Sequence, residues 1–388
     1  MPTTLLKVRY YAHVGQLTGY GRAATEYAMA MLKHPGFDLD VVPLGEGALD
    51  ERTKVLMPKI QRGDFTPDVV LVHTLPRDCE RVLDAVKIDA RATPCAAMTT
   101  WEAATFPEQH LSWFTPFRRV LVPSEAAKRA IDSPWLPRHR CAVVPHCYDP
   151  TLVEMMRAAM PPAPTDPDRP FVFYYVGAWN RRKNVEGLLQ AYAHAHAQGY
   201  FDGNRPARLM IQAAGAEPRV VAETMASLGL ERDIGIRLNL QPITESQLWE
   251  LHLHSGDCFV SASRGEAWNL GAFEATLGGR FVIVPEGQGS DEYLRPPRRV
   301  IPSRRTPATL DAVALEAIDE QWKMRISGAS GLSAAVLWQD PDLCHLAFEM
   351  ENAYHYRNEH PAPSLSEFAH DAVAGTLHHQ LMEIANVQ

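Results

Sequence analysis

The chain has 388 residues, long enough for two hydrophobic cores rather than one. Its 46% apolar and 22% charged content is that of an ordinary soluble globular protein, which excludes a disordered or fibrous chain. A formal charge of −8 excludes a protein that coats nucleic acid or anionic membrane with its whole surface, and leaves room for a local basic patch.

In chain order, the first half holds short β-branched runs at 5–14 (LLKVRYYAHV), 38–44 (DLDVVPL), 67–74 (PDVVLVHT), 95–100 (CAAMTT), 119–124 (RVLVPS) and 141–147 (CAVVPHC). Between several of them lie helical patterns such as GRAATEYAMAMLKH and SEAAKRAIDS, the second with Ser124 placed to cap its first turn. Strands alternating with helices predict parallel sheets covered on both faces. The proline-dense PPAPTDPDRP at 161–170 can continue neither a helix nor a central strand, and predicts an interdomain linker. The pattern then restarts. FVFYYVG, ARLMIQAA, IGIRLNL, DCFVSAS and RFVIVPE are expected strands, with helices near 184–199, 217–229, 243–255 and 269–279. Two consecutive doubly wound α/β domains of nearly equal size follow. From DPDLCHLAFEMENAYHYRN onward the period is helical, and the end, SEFAHDAVAGTLHHQLMEIANV, sets Phe368, Val373, Leu377, Leu381 and Ile384 on or near one face.

Two stretches carry candidate chemistry. In SRGEAWNLGAFEATLGGRFVIVPE (263–286), Glu266 falls in a turn after a strand and Glu274 on the helix that follows. Ligands of open parallel sheets gather at the carboxyl ends of strands, where helix N–H groups suit an anion. A carboxylate there can hold the vicinal hydroxyls of a ribose. A helix-dipole partner at 266 and a solvated face residue at 274 fit the same spacing. The second stretch, FVFYYVG–AWNRRKN–helix, is strand, glycine turn, basic loop and helix, in which Arg182 and Lys183 could pair with a diphosphate; a solvated loop fits too.

Together, YYVGAWNRRKNVEGLLQAYAHA and DCFVSASRGEAWNLGAFEATLGGRFVIVPE resemble the retaining glycosyltransferases of the family 4 type, which have a GT-B fold of two Rossmann-like domains facing a cleft. TGYGRAATEYAMAML, VLVPSEAAKRAI and VVPHCYDP resemble that family's first-domain segments, so the likeness runs to about residue 350. It implies a first, acceptor-side domain over 1–165 and a nucleotide-sugar-binding domain over 166–364, with the helix at about 365–388 packing back on the first. Glu274 would hold the ribose. Glu266, with the amides of Ala267, Trp268, Asn269 and Leu270, would hold the donor sugar and its phosphate. Lys183 would neutralise the diphosphate, and the turn Gly19–Tyr20–Gly21 would bring first-domain backbone to it. Glu102, in TTWEAATFP, would contact acceptor or donor sugar; capping a following helix is its other reading.

The chain departs from the family's pattern in places. Ala178 stands where arginine is frequent, leaving Arg181 or Arg182 to supply the charge, and Ala267–Trp268–Asn269 replaces Gly-Phe-Gly, which would narrow the sugar pocket. The implied reaction moves a hexose from a nucleotide diphosphate, UDP by preference, to the hydroxyl of a glycan, lipid, metabolite or modified DNA base. The donor is a co-substrate and no other cofactor is called for. No Asp is placed for a Mg²⁺ site of Asp-x-Asp type, so metal-independent chemistry is expected. A nucleotide-sugar-binding protein without turnover and a GT-B epimerase are the alternatives. No stable partner protein is evident.

The six cysteines (Cys79, Cys95, Cys141, Cys147, Cys258, Cys344) lack Cys-x-x-Cys spacing and read as reduced, buried thiols. With no signal-peptide pattern and no run of membrane-spanning length, the expected location is the cytoplasm, with peripheral attachment to a membrane left open. The pairs His194/His196, His252/His254 and His378/His379 lack partners at metal-ligand spacing and read as surface or core histidines. His73 ends a strand and is expected either at the cleft or in the core. Two basic clusters, Arg118, Arg119, Lys128, Arg129, Arg138 and Arg140 in one and Arg295, Arg298, Arg299, Arg304 and Arg305 in the other, fit a solvated surface or an anionic acceptor.

Overall fold

A computed structural model describes residues 5–132, 140–160, 168–203, 205–230, 233–295, 299–308, 336–355 and 363–385. Arg138, Arg298 and residues 161–167 of the proline-rich stretch lie outside the described residues. The chain divides into two units: unit 1 comprises 1–102, 106–151 and 365–388, and unit 2 comprises 103–105 and 152–364.

Unit 1 starts with β1 (Leu6–Ala12), α1 (Gly19–Lys33) and β2 (Phe37–Pro43), then β3 (Val69–His73), α2 (Pro76–Ala85) and β4 (Cys95–Met98). It continues with β5 (Arg119–Val122), α3 (Glu125–Ile131) and β6 (Cys141–Val143), and α4 (Pro150–Ala159) leads into unit 2. Its strands pair in parallel in the order β2-β1-β3-β4-β5-β6. β3 is buried along its whole length, which is why it reads as an unbroken apolar run rather than an alternating one. Two hydroxyl caps start helices here: Thr18 accepts from the Gly21 N–H, and Ser124 from that of Ala127.

Unit 2 holds β7 (Phe171–Val176), α5 (Val185–Ala197), β8 (Ala207–Gln212), α6 (Pro218–Ser227), β9 (Ile236–Asn239) and α7 (Glu245–Glu250). A π-helical turn at Leu251–Ser255 follows α7. Next come β10 (Cys258–Val260), α8 (Leu270–Leu277), β11 (Phe281–Pro285), β12 (Arg299–Ile301), β13 (Ser303–Pro307), β14 (Leu337–Pro341) and α9 (Leu343–His355). The second sheet is parallel in the order β12-β11-β10-β7-β8-β9, and β13 and β14 form an antiparallel pair.

The last helix, α10 (His370–Ala385), belongs to unit 1. Val373, Leu377, Leu381 and Ile384 enter the same apolar cluster as Tyr27 and Met31 of α1 and Leu6 and Val8 of β1. Arg118 and Arg119, read from sequence as part of a surface cluster, fasten this helix instead. Arg118 donates to the Ile384 carbonyl at 3.0 Å, and Arg119 donates to Gln380 and pairs with Glu383, both at 2.8 Å. Glu26 of α1 accepts from His370 Nε2 at 2.7 Å and pairs with Arg52.

Five of the cysteines are buried free thiols, whereas Cys344 is exposed on α9, correcting the expectation of six buried ones. Among the described residues no helix is long and apolar enough to cross a membrane.

Candidate functional site

Each sheet has one point where the strand order reverses, and crevices for ligands open there at the carboxyl ends of the strands. In unit 2 the chain runs outward over β7, β8 and β9, then returns to lay β10 on the other side of β7. The loops leaving β7 and β10 are the two stretches singled out above.

They meet. Glu266 is 6% exposed, and its Oε1 lies 2.6 Å from Lys183 Nζ and its Oε2 3.4 Å from Arg182 Nη1. Arg182 also donates to the Gly265 carbonyl at 2.5 Å, and the Arg264 amide donates to the Arg182 carbonyl at 2.7 Å. Burial by itself would raise the Glu266 carboxyl; the Lys183 and Arg182 charges outweigh it and hold the group below its ordinary value. Of the two arginines offered as replacements at Ala178, Arg182 is set against Glu266 at 3.4 Å.

The helices that open here, α5 and α8, are each capped by an asparagine in the left-handed conformation. Asn184 has φ +52° and its side chain accepts from Gly187; Asn269 has φ +69° and accepts from Ala272. Left-handed backbone favours glycine, then asparagine. Asn269 meets the left-handed requirement that glycine would also meet, and its side chain caps α8. Trp268 is buried and packs on Phe273 and Tyr293 at ring-centroid distances of 5.3 and 5.0 Å.

Tyr293, which no sequence signal marks, governs the backbone of this loop. Its hydroxyl donates to the Trp268 and Asn269 carbonyls at 3.0 and 2.9 Å. In a trans peptide the N–H points opposite to the C=O, so turning these carbonyls inward turns the Asn269 and Leu270 amides away from Tyr293. That is the orientation an anion at the start of α8 requires. Two further buried residues brace the loop: Gln288 donates to the Ser263 carbonyl at 2.7 Å, and the Gly289 amide to the Glu266 carbonyl at 2.9 Å.

Glu274 lies on the second turn of α8 and is 7% exposed, which removes the reading as a solvated face residue. Its neighbour is His252, fully buried, with Nε2 3.5 Å from Glu274 Oε2.

The remaining predicted residues belong to unit 1. Gly19 opens α1, and Gly21 is demanded by its own loop: a Cβ there would lie 2.2 Å from the Gln16 carbonyl oxygen. Tyr20 between them bonds both ways with Thr100, whose amide donates to the Tyr20 hydroxyl at 3.3 Å. Glu102 is close enough to Tyr20 to help raise its phenol above the ordinary value, behind the larger effect of burial. The glycine turn and the Glu102 segment therefore share one place. No helix follows Glu102 directly; the next helical turn starts at Glu108 behind Pro107, so the capping reading falls. His73 is 1% exposed, bonded to the Tyr10 hydroxyl at 2.6 Å and ringed by Tyr20 and Tyr27, which places it in the core. At the carboxyl end of β1, His13 meets Thr74 at 2.9 Å.

In the second basic cluster, Arg299 pairs with Glu349 at 3.4 Å and Arg304 with Asp340 at 3.9 Å. Each unit also holds a cavity. One of about 410 Å³ in unit 2 is lined by Glu286, Asp291, Ser303, Arg305 and Gln339, and one of about 760 Å³ in unit 1 by Val14, Leu49, Met57 and Ile60. Among the described residues, no group of three or more His, Cys, Asp or Glu is placed to hold a metal ion.

No family model matches the chain, and no curated protein matches its sequence. Solved structures do match. HepE of Anabaena, in complex with UDP and glucose, is 14% identical with a TM-score of 0.57, over 97% of this chain and 100% of that one. A glycosyltransferase from Rickettsia africae is 11% identical with a TM-score of 0.58, over 99% and 100%. The lipopolysaccharide outer core galactosyltransferase WaaB, in its apo form, is 12% identical with a TM-score of 0.59, over 97% and 99%. At such identities the likeness defines a class of fold: two parallel six-stranded sheets clad in helices, the α/β architecture of GT-B glycosyltransferases.

Proposed function

We propose that the chain is a retaining glycosyltransferase of the family 4 type, moving a hexose from a UDP-linked donor to a hydroxyl acceptor without a metal ion or further cofactor. The observation that carries this reading is the buried Glu266 held between Lys183 and Arg182, at the strand-order reversal of unit 2. Complexes of the structural neighbour HepE with UDP and with UDP-glucose favour the same ligand class.

In this reading the donor's diphosphate takes Lys183 and Arg182 as counter-ions, with the Asn269 and Leu270 amides lining its seat. Breaking the sugar–phosphate bond builds negative charge on the departing diphosphate. Cations and oriented amides already aimed there stabilise it without reorganising, an effect worth several kcal/mol. Glu266 loses its lysine to the phosphate and turns to the sugar hydroxyls, while Glu274 holds the ribose. Of the unit 1 residues, the Gly19–Gly21 turn is assigned to the diphosphate and Glu102 to the acceptor or the donor sugar. The acceptor is a hydroxyl of a glycan, lipid, metabolite or modified DNA base, an anionic one included, met in the cytoplasm or at a membrane surface.

A thermal-shift series of nucleotide sugars tests the site. A ligand at a hundred times its dissociation constant adds about 2.7 kcal/mol of stability. Glu274→Ala should remove most of the rise, and an unchanged rise would take the residue out of the site. Ala178 in the arginine position favours one other reading, a binder without turnover. Release of free nucleoside diphosphate, in the presence of donor and acceptor, separates the two.

A further inference from the structure

By spacing alone His252 and His254 read as surface or core histidines, and in the fold His252 faces the carboxylate assigned to the ribose. His252 sits on the π-helical turn Leu251–Ser255, closed by the Gly256 amide donating to the Leu251 carbonyl at 3.0 Å. Such turns re-aim a side chain relative to a regular helix and concentrate at functional sites. The ring is fully buried, with Nδ1 3.0 Å from the Tyr174 hydroxyl and Nε2 3.5 Å from Glu274 Oε2.

Two glycines let Tyr174 and the histidine turn approach this closely. A Cβ on Gly256 would lie 2.4 Å from the Tyr174 ring, and one on Gly278 would lie 2.5 Å from the His252 carbonyl oxygen. Gly278 closes α8 one turn after Glu274, its amide donating to the Glu274 carbonyl. The histidine turn is thus seated directly on the helix that carries the carboxylate. The tautomer follows. With Nδ1 accepting from Tyr174, Nε2 carries the hydrogen and faces Glu274 Oε2 at 3.5 Å, short of a formed hydrogen bond; the other tautomer would set a lone pair against the carboxylate. Burial keeps Tyr174 protonated, as this arrangement needs.

We infer that His252, oriented by Tyr174, is a positioning residue that holds the Glu274 carboxylate in the orientation able to accept the ribose hydroxyls. This deepens the proposed function and rests on it. The relay runs from the central strand β7 through a ring to a helix, so the carboxylate is aimed from the sheet rather than by α8 alone. The logic is that of a histidine braced through its second nitrogen.

The test compares binding of UDP with 2′-deoxy-UDP by calorimetry, with GDP and 2′-deoxy-GDP run alongside, on the full chain. The ratio of the two dissociation constants reads the ribose contact and is insensitive to a general loss of stability. Wild type should prefer the ribonucleotide by roughly tenfold or more, since the hydroxyl donates to a charged acceptor. Glu274→Ala should bring the ratio near one. His252→Phe should lose most of it while leaving 2′-deoxy-UDP binding in place, Tyr174→Phe should lose part of it, and His252→Gln, which restores an N–H toward Glu274, should recover it. If His252→Phe unfolds, Tyr174→Phe and His252→Gln carry the test. A preference lost in Glu274→Ala but intact in the His252 and Tyr174 variants overturns the positioning role alone. A ratio of one in wild type and in Glu274→Ala overturns the ribose reading, and this inference with it.

Discussion

Replacing Lys183 with methionine keeps its aliphatic stem and deletes one charge from the pair with Glu266. Truncating one partner of a buried ion pair costs about 3–5 kcal/mol when nothing compensates. Here Arg182 remains 3.4 Å from the carboxylate, and the Lys183 side chain is 18% exposed. The expected loss is therefore smaller, about 1–3 kcal/mol at neutral pH. A double-mutant cycle with Glu266→Gln, read by urea unfolding, should return a coupling of about 1 kcal/mol or more, because the two groups touch. The sign of the pH dependence is fixed as well. Glu266 is held below its ordinary value of 4.5, so its stabilising contribution is complete above that value and is lost as pH falls through the lower, folded one. In Lys183→Met that folded value moves up. The gap between variant and wild type should be widest at neutral pH and close in acid. An additive cycle, or a gap that widens in acid, would refute the pairing as a source of stability.

Asn269→Ala should cost about 2–3 kcal/mol, adding the penalty of left-handed backbone to the loss of a helix cap, whereas Asn269→Gly should stay within about 1 kcal/mol of wild type. Equal stabilities of the two variants in urea would show that φ +69° is not the constraint. Glu26→Gln should loosen α10, seen as faster amide exchange over 370–385 after correction for intrinsic rates. Burial would raise the Glu26 carboxyl, but His370 and Arg52 more than offset it, so wild type should lose the same protection as pH drops below about 4.5. Unchanged protection in the variant at neutral pH would contradict the latch.

The alternation of strands and helices was legible because parallel strands are buried on both faces and read as apolar runs. The loop residues Lys183 and Glu266 were legible for a related reason: both follow directly on such runs. What periodicity hides is direction. Nothing in the spacing of Glu274 tells that its carboxylate turns into the unit instead of toward water. Tyr293, Tyr174 and His252 reach the site from other elements, and their roles depend on contacts made only after the sheet has closed. The same holds for Arg118 and Arg119, whose partners lie 266 and 261 residues further along the chain. Local charge density suggested a patch, and only the fold could supply those partners. Gly21 was read as a place for a ligand, while its nearer constraint is the Gln16 carbonyl.

The return of α10 to unit 1 sets a timetable for biosynthesis. Val373, Leu377, Leu381 and Ile384 are made after the whole of unit 2, yet they complete the core begun by Leu6 and Val8. Unit 2 has its sheet in hand earlier, although its first strand is made later. The half that starts first is finished last. A nascent chain halted before residue 370 therefore carries an open apolar face on α1, and premature termination there leaves a product for chaperones and proteases rather than a shortened working protein.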